Sequence, residues 1–387
     1  MGNIILIVAD CLRADHAYDP KVMPFLNSLK ETNSFSEKAY ANAASTHFAM
    51  PTLMTGILPF EISDQPRITS RLLNYYLPKI FKSLGYQTIG ITTNVVTSRV
   101  FGYNQYFDYF EDFWSKTNQL NEIRKKILQF FPYQIRKRIL NPLLTRLGRV
   151  ITTPEKIKAG LRGERILSTL KGYPLKSIPG NFIFLHFMEP HSPYVNDKAG
   201  ISMKLVNSIN RKLNRNKLTL SKHKLTDKDI KTLKTLYKYE CKEFDIVLKD
   251  IFDYLKSKIN WKDAKVVITA DHGEAFNETG YLEHPYKYVD NLHHVKVPLV
   301  TINIPLIKSE EYWTTDIYKT LSPSGNKKIS TYPICVCYDN TRKLSKDLIN
   351  QYKPVGYFDL EKFIKISSVD NLPYHSRKPD LVDSLSI

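Results

Sequence analysis

Ala264-Lys-Val-Val-Ile-Thr-Ala-Asp-His-Gly-Glu274 is the stretch that decides the fold of this 387-residue chain. Its apolar first part predicts a buried strand, and a carboxylate and an imidazole follow directly where that strand ends. The run Asn3-Ile-Ile-Leu-Ile-Val-Ala9 also predicts a strand, and it stops at Asp10. Ligands collect at the carboxyl ends of strands in open α/β sheets. The two strands therefore predict a metal-centred active site rather than a plain binding surface.

Strand-like and helical patterns alternate through the first third of the chain. After the first strand, helical spacing is predicted at residues 22–30, and a second helix begins at or just after Ser45 or Thr46. An amphipathic helix at 70–84 then precedes a strand at 87–93. This β-α-β-α order predicts an α/β fold, with a mostly parallel central sheet and helices on both faces.

The second half of the chain continues the alternation. Strands are predicted at 181–187 and 297–303, and apolar residues at three- and four-residue steps predict a long helix over 233–252. Short strand-like pieces and turns follow. We therefore predict a catalytic domain over residues 1–322 and a small C-terminal subdomain over residues 323–387.

Two basic stretches interrupt this pattern: a helical insertion near residues 116–180, and a Lys-rich segment near 202–231 that is a candidate for a mobile connection. The insertion has two interpretations. It is a solvated surface that covers the sheet edge, or it is a basic amphipathic surface in peripheral contact with an anionic membrane. The second interpretation depends on basic residues that alternate with apolar ones: Arg124, Lys125, Lys126, Arg136, Lys137 and Arg138 with Ile127, Leu128, Phe130, Phe131, Ile139 and Leu140.

The net charge of +18 indicates affinity for anions, whether nucleic acid, acidic lipid or an ester that bears phosphate or sulfate. No RNP, zinc-finger or helix-turn-helix signature accompanies this charge, so we expect no specific nucleic-acid partner. A nucleic-acid binder that acts through charge alone stays as an alternative.

The four cysteines, Cys11, Cys241, Cys335 and Cys337, lack the spacing of a zinc ribbon and favour reduced thiols. The first apolar run is too short for a signal peptide and has no basic leader. No run reaches the roughly 20 apolar residues of a membrane span. We therefore expect a cytoplasmic protein, which is peripheral at the membrane if the basic insertion binds lipid.

The candidate site residues have plainer interpretations as well. Asp10 and Thr46 could each be an ordinary helix N-cap. A single histidine is more often structural than catalytic, although two of them follow the strand at 181–187. Asp271 and His272 are harder to dismiss, because adjacent ionisable groups after a buried strand are costly unless they are paired or bound to metal.

Three segments together resemble a known family. The segment 3–16, a strand that runs into an Asp with an Arg three residues later, resembles the opening motif of the sulfatase branch of the alkaline phosphatase superfamily. The segment 46–56 is similar to the nucleophile motif of that family, and 268–274 resembles its metal motif. The similarity covers roughly residues 1–322 in order, and several ordered motifs are a strong signal. It implies an alkaline-phosphatase-like sandwich fold.

The resemblance also implies the roles of individual residues. One divalent metal ion, Mn²⁺, Mg²⁺, Zn²⁺ or Ca²⁺, would be held by Asp10, Thr46, Asp271 and His272. The hydroxyl of Thr46 would be the nucleophile. The other catalytic residues would be Arg13, His191 and His284, and the substrate contacts would be His186, His191, Arg13 and Lys287. The additional ligand set of the dinuclear members has no convincing match, so a single metal site is predicted.

Two departures from the family pattern bear on the chemistry. Formylglycine sulfatases need Cys or Ser at the nucleophile position, where this chain has Thr46, and many sulfatases place a second Asp at the position of Cys11. The pattern is instead similar to the threonine-nucleophile members: lipoteichoic-acid synthases, phosphoethanolamine transferases and nucleotide phosphodiesterases.

These departures favour a metal-dependent hydrolase or transferase of phosphate esters, or less readily of sulfate esters, that acts on a glycan or a lipid-linked substrate. A true sulfatase with another activation is one alternative. A catalytically silent relative that binds an anionic glycan or lipid is another.

Overall fold

The computed structural model describes the greater part of the chain. It covers residues 2–62, 67–113, 162–176, 180–217, 225–278, 280, 282–284, 291–307, 311–323, 335–340, 352–358 and 363–365. The alternating basic and apolar residues of the insertion, between 124 and 140, lie outside the described residues, and so does Lys287.

Fourteen strands lie within the described residues, and seven of them form the central sheet of the fold. The strands, in chain order, are β1 (Ile4–Asp10), β2 (Ser34–Ser36), β3 (Ala39–Tyr40), β4 (Gln87–Thr92), β5 (Tyr109–Asp112), β6 (Asn181–Pro190), β7 (Lys265–Ala270), β8 (Ala275–Phe276), β9 (Leu282–Glu283), β10 (Leu299–Ile302), β11 (Tyr312–Trp313), β12 (Cys335–Asn340), β13 (Tyr352–Phe358) and β14 (Phe363–Lys365). The central sheet has the order β2-β10-β7-β1-β6-β4-β5. Strands β7, β1, β6, β4 and β5 pair in parallel, and β10 is antiparallel to both of its neighbours. The predicted mostly parallel sheet is therefore confirmed.

Helices pack on both faces of this sheet. They are α1 (Ala14–Ala17), α2 (Pro24–Thr32), α3 (Thr46–Thr55), α4 (Leu77–Ser83), α5 (Glu164–Lys171), α6 (Met203–Lys217), α7 (Asp227–Lys258) and α8 (Thr314–Leu321). Along β6, Phe182 and Phe187 point to opposite faces, because side chains alternate along a strand. Phe182 stacks on Phe81 of α4 with 4.5 Å between ring centroids, whereas Phe187 contacts Phe244 of α7 at 5.1 Å.

Two predicted segments differ from the structure. The helix expected at 70–84 is limited to α4, because Pro78 lacks an N–H and fits only the first turn of a helix. The first part of the Lys-rich segment expected to be a mobile connection forms α6, and residues 218–224 lie outside the described residues. Val206, Ile209 and Leu213 recur at helical spacing along α6 and are buried, which anchors this helix to the core.

Strands β12, β13 and β14 form a three-stranded antiparallel sheet of their own. The division of the chain near residue 323 stays a prediction. None of the helices within the described residues is long and apolar enough to cross a membrane.

The carboxyl ends of four central strands meet at one edge of the sheet. Ala9 near the end of β1 pairs with Ala270 at the end of β7 and with Phe187 of β6. His186 of β6 pairs in turn with Thr92 at the end of β4. Residues that follow β7 and β1 on one side of β6, and β4 on the other side, therefore lie at the same edge of the sheet. This edge carries the candidate site.

Candidate active site

Asp10 and Asp271 leave the sheet side by side. Both are fully buried, because β1 and β7 are parallel neighbours that end at the same level. The Oδ1 atom of Asp271 accepts hydrogen bonds from the backbone N–H of His272 at 2.8 Å and of Cys11 at 3.2 Å. Arg13, rather than Asp10, precedes the first turn of α1, so Asp10 is not the N-cap of that helix.

Thr46 is the first residue of α3 and is buried. The N-cap is Ser45, so Thr46 does not fill the capping role that a plainer interpretation would give it. Its Oγ1 atom lies 3.3 Å from Nε2 of His272. The N-terminus of a helix carries partial positive charge and free N–H groups, which suits an anion beside this hydroxyl.

His272 lies between the two carboxylates and the threonine. Its Nε2 atom is 3.5 Å from Oδ2 of Asp271 and 3.7 Å from Oδ1 of Asp10. Nδ1 lies 2.9 Å from the carbonyl oxygen of Gly273, which can only accept, so Nδ1 carries the proton and Nε2 presents its lone pair. Burial lowers the pKa of His272, which keeps the imidazole neutral and able to bind metal.

This arrangement fits a divalent cation. Ligands around one tetrahedral ion are about 3.3–3.6 Å apart at bond lengths of 2.0–2.2 Å, and the separations of 3.3, 3.5 and 3.7 Å from Nε2 of His272 are close to that spacing. Oδ2 of Asp271 is buried and receives no hydrogen bond from the described part of the chain. Carboxylate, hydroxyl and imidazole donors suit Mn²⁺, Mg²⁺, Zn²⁺ or Ca²⁺.

Arg13, predicted to bind the ester, is held by carboxylates. Its guanidinium donates to Asp15 at 2.6 Å and to Glu278 at 2.8 Å, and it also lies 2.8 Å from Nδ1 of His293. Burial alone would lower the pKa of Arg13, but the hydrogen bonds and charges of Asp15 and Glu278 raise it. The guanidinium is thus charged and already paired, and its contact with an ester stays a prediction.

His191 and His284 form a ring cluster beside His272. The ring centroids of His272 and His284 are 4.5 Å apart, and those of His191 and His284 are 5.1 Å apart. Glu274 lies 3.2 Å from Nδ1 of His284 and accepts a hydrogen bond from the hydroxyl of Tyr194 at 2.8 Å. The structure therefore brings both predicted catalytic histidines to the same pocket as Thr46.

Cys11 stands at the centre of this cluster. Its Sγ atom lies 3.2 Å from Oδ1 of Asp10 and 3.5 Å from Nδ1 of His284. Burial and the neighbouring carboxylates raise the pKa of Cys11, so the group is a neutral thiol at neutral pH. Where many sulfatases have a second carboxylate, this chain thus presents a neutral side chain.

Two further histidines, the predicted His186 and His294, are fully buried. His186 is fully buried in β6 and contacts Oγ1 of Thr97 through Nδ1 at 2.9 Å. His294, a further histidine of the 291–294 turn, is also buried and contacts the carbonyl oxygen of Glu283 at 3.1 Å.

Sequence reasoning missed two neighbours of the site. The side-chain amide of Asn94, just after β4, donates a short hydrogen bond to Oδ2 of Asp10. Burial, together with the charges of His284 and His272, lowers the pKa of His47 to about 4, so this imidazole stays neutral beside the pocket. The position of Asn94 just after a buried strand could have identified it from the sequence as a site residue. Asp10 was identified from its position at the end of a strand in the same way.

A sequence model of the sulfatase family matches residues 2–322. The chain belongs to the sulfatase family. Family membership makes it an enzyme that acts on sulfuric or phosphoric ester bonds. No curated protein sequence matches the chain significantly.

Solved structures share the fold at low identity. A phosphonate monoester hydrolase from Silicibacter pomeroyi has a TM-score of 0.56 and 14% identity, over 89% of this chain and 80% of that one. The C-terminal periplasmic domain of EcEptC from Escherichia coli, in complex with zinc, has a TM-score of 0.54 and 13% identity, over 83% and 82%. A 2-O GAG sulfatase has a TM-score of 0.53 and 13% identity, over 87% and 77%. The alkaline-phosphatase-like fold is thus confirmed.

Proposed function

We propose that this enzyme is a metal-dependent hydrolase or transferase of phosphate esters that uses Thr46 as its nucleophile. One observation carries the proposal: Oγ1 of Thr46 lies 3.3 Å from the imidazole nitrogen that also lies close to both buried aspartates. A buried hydroxyl at a helix N-terminus, beside two carboxylates and a neutral imidazole, is the arrangement that activates a weak nucleophile.

The cation would be held by Asp10, Thr46, Asp271 and His272, and when bound it would lower the pKa of the Thr46 hydroxyl and offset the charge of the ester. The oxygen of Thr46 forms a bond to phosphorus as the bond to the leaving alcohol breaks, and the hydroxyl proton passes to solvent. The departing oxygen takes a proton from the histidine pair His191 and His284 or from water. Water or an acceptor hydroxyl then attacks the phosphothreonine and releases Thr46.

Phosphate is favoured over sulfate because Thr46 cannot supply the aldehyde that formylglycine sulfatases make from Cys or Ser. Among the structural neighbours, one is named a phosphonate monoester hydrolase and one a 2-O GAG sulfatase. A carrageenan-type oligosaccharide is bound in another neighbour, described as a complex with k-i-k-neocarrahexaose. These names support an anionic ester, on a glycan for two of the three, as the substrate class.

Metal analysis combined with a panel of aryl phosphate, phosphodiester, phosphonate and sulfate esters tests the proposal. Thr46→Ala should lower turnover of the preferred phosphoester by about 10³-fold or more, since loss of a nucleophile typically has effects of that order. Thr52→Ala is the matched control, because Thr52 is a buried threonine of the same helix whose hydroxyl, within the described part of the chain, bonds to the carbonyl oxygen of Phe48 alone.

Two outcomes would overturn this function. Arylsulfate turnover that survives Thr46→Ala would indicate a sulfatase with another activation. Purified protein without bound metal and without turnover across the panel would indicate a silent relative that binds anions.

A further inference from the structure

His186 presents a buried nitrogen that has no partner among the residues that the structure describes. Its Nε2 atom is buried and makes no hydrogen bond, and Oδ2 of Asp271 is in the same condition. One ligand atom from each of Asp10, His186 and Asp271 can be chosen so that all three lie within 4.8 Å of one another. Buried polar atoms are rarely left without partners, so two of them within this group of three residues indicate a missing group.

The hydrogen-bond network around Thr97 provides an acceptor for Nδ1–H of His186. Oγ1 of Thr97 lies 2.9 Å from Nδ1 of His186 and 3.2 Å from the carbonyl oxygen of Asn94. Oγ1 of Thr97 also lies 2.6 Å from Oγ1 of Thr92. When Thr97 donates its single proton to the Asn94 carbonyl or to Thr92, it accepts from Nδ1–H of His186, and Nε2 carries a lone pair.

In this tautomer the lone pair of Nε2 lies in the same buried group of residues as the carboxylate of Asp271. Two acceptors without a donor between them repel each other strongly where the dielectric constant is low. A cation removes this repulsion, whereas a second acceptor or an apolar group would not. The arrangement of an imidazole whose other N–H is held by a neighbouring oxygen is also the usual one for a histidine that binds metal.

We propose that Nε2 of His186 is a ligand of the same cation that Asp10 and Asp271 hold, and not a contact for the substrate ester. The inference rests on the cation of the proposed function and adds to that cation a further ligand, which lies on strand β6. Ligand atoms of one ion are at most about 4–5 Å apart at bond lengths of 2.0–2.5 Å, and the three residues meet this bound, since one ligand atom from each lies within 4.8 Å of the others.

A second imidazole changes which ion the site prefers. With His186 and His272 the donor set holds two nitrogens beside the oxygens of Asp10, Asp271 and Thr46. Imidazole suits zinc and other transition metals, whereas sites for Ca²⁺ and Mg²⁺ are built from oxygen. The chain should therefore select a transition metal such as Zn²⁺ over Ca²⁺.

Metal titration of the metal-stripped 387-residue chain tests this assignment. Zn²⁺ affinity is measured by calorimetry, and Co²⁺ is used as a probe whose visible absorption reports its nitrogen ligands. His186→Leu should weaken Zn²⁺ binding by about 100-fold or more and change the Co²⁺ spectrum, since even the loss of an outer-shell partner costs about 10–100-fold. Thr97→Val should weaken binding by about 10-fold or more, because it removes the acceptor that orients the ring.

Phe184→Leu is the packing control. Phe184 lies on the same face of β6, its ring centroid is 6.1 Å from that of His186, and it offers no ligand atom. This variant should keep wild-type Zn²⁺ affinity and Co²⁺ spectrum. If His186→Leu fails to fold, Thr97→Val carries the test, because it keeps the imidazole and changes only its orientation.

The outcomes separate this inference from the proposed function. Wild-type Zn²⁺ affinity in both His186→Leu and Thr97→Val, with binding abolished in Asp271→Ala, would overturn only the assignment of His186. Wild-type affinity in Asp271→Ala would remove the cation site itself, and the proposed function with it.

Discussion

Two carboxylates, Asp15 and Glu278, hold the buried guanidinium of Arg13 at 2.6 and 2.8 Å. Burial alone would raise the pKa of Glu278, but the hydrogen bond and charge of Arg13 outweigh it and lower the pKa from 4.5 to about 2. A carboxyl group with a depressed folded-state pKa stabilises the fold at pH values above its unfolded pKa. That stabilisation is lost as the pH falls through the folded-state pKa.

Glu278→Gln should therefore lower the free energy of unfolding by about 1 kcal/mol at neutral pH, a value reduced for solvent screening because the side chain is partly exposed. The difference from wild type should shrink as the pH falls from 4.5 to about 2. Urea unfolding at a series of pH values measures it. Glu31→Gln, at an exposed position, serves as the control. A difference between wild type and Glu278→Gln that is constant with pH would contradict the ion pair.

The turn that follows β7 places His272 within reach of Thr46. Gly273 makes this possible, because its N–H donates to the carbonyl oxygen of His294 at 2.8 Å and its α-carbon packs against the 291–294 turn. A Cβ atom at Gly273 would lie 1.9 Å from the carbonyl oxygen of His293, well inside any tolerated contact. Only glycine fits where these two backbone segments approach so closely.

Gly273→Ala should separate the two turns, shift His272 and weaken metal binding at least about 10-fold, with a loss of stability of about 2–4 kcal/mol. Gly200→Ala is the matched control: its φ of +68° makes alanine strained, but a Cβ there meets nothing within 4 Å. Gly200→Ala should lower the free energy of unfolding by about 1–2 kcal/mol and leave metal affinity unchanged. Zn²⁺ calorimetry and thermal unfolding of both variants give the comparison. Equal metal affinity in Gly273→Ala and wild type would show that the turn does not set the position of His272.

Local patterns identified the elements of the site, and the order of strands determined which residues meet. Asp10, Thr46, Asp271 and His272 were predicted because each ends or begins an element and matches a family motif. The contact of Asn94 with Asp10 was not predicted, since it requires that β4 lies next to β6 and β6 next to β1. Sequence periodicity gives no information on such neighbours, which are set by the packing of the whole sheet.

The same limitation applies to Asp245, which connects distant parts of the molecule. Its two carboxylate oxygens, on α7, accept hydrogen bonds from the backbone N–H groups of Phe25 and Leu26 at 2.8 and 2.9 Å. These groups begin α2, whose own N-cap residue, Met23, makes no capping bond. The carboxylate of Asp245, which belongs to α7, therefore acts as the N-terminal cap of α2.

Asp245→Ala should lower the free energy of unfolding by about 1–3 kcal/mol, because a buried and a partly buried N–H group lose their acceptor. Metal affinity should not change, since α2 lies away from the ligands. Asp250→Ala, at an exposed position of the same helix, should stay within about 0.5 kcal/mol of wild type. Chemical denaturation of the three proteins measures the effect. Equal stabilities of Asp245→Ala and Asp250→Ala would show that the hydrogen bonds from Asp245 to α2 do not contribute to the free energy of unfolding.

The charge of the whole molecule bears on where its substrate lies. With a net charge of +18, the protein should bind anionic surfaces, and the basic insertion is the part that we expect to reach a membrane. The 387-residue chain should co-sediment with anionic phospholipid vesicles and dissociate from them as salt rises, because the screening length falls from about 10 Å at 0.1 M to about 3 Å at 1 M.

Two triple charge reversals distinguish a specific membrane surface from the general charge. Replacement of three basic residues of the insertion by glutamate should abolish sedimentation with the vesicles. The same replacement at three exposed lysines elsewhere alters the net charge equally but should leave most of the sedimentation. The first variant changes Arg124, Lys125 and Lys126, and the second changes Lys228, Lys231 and Lys262. Equal loss in both variants would reduce the effect to overall charge, and equal binding of the wild type to neutral vesicles would remove the electrostatic basis of the membrane interpretation.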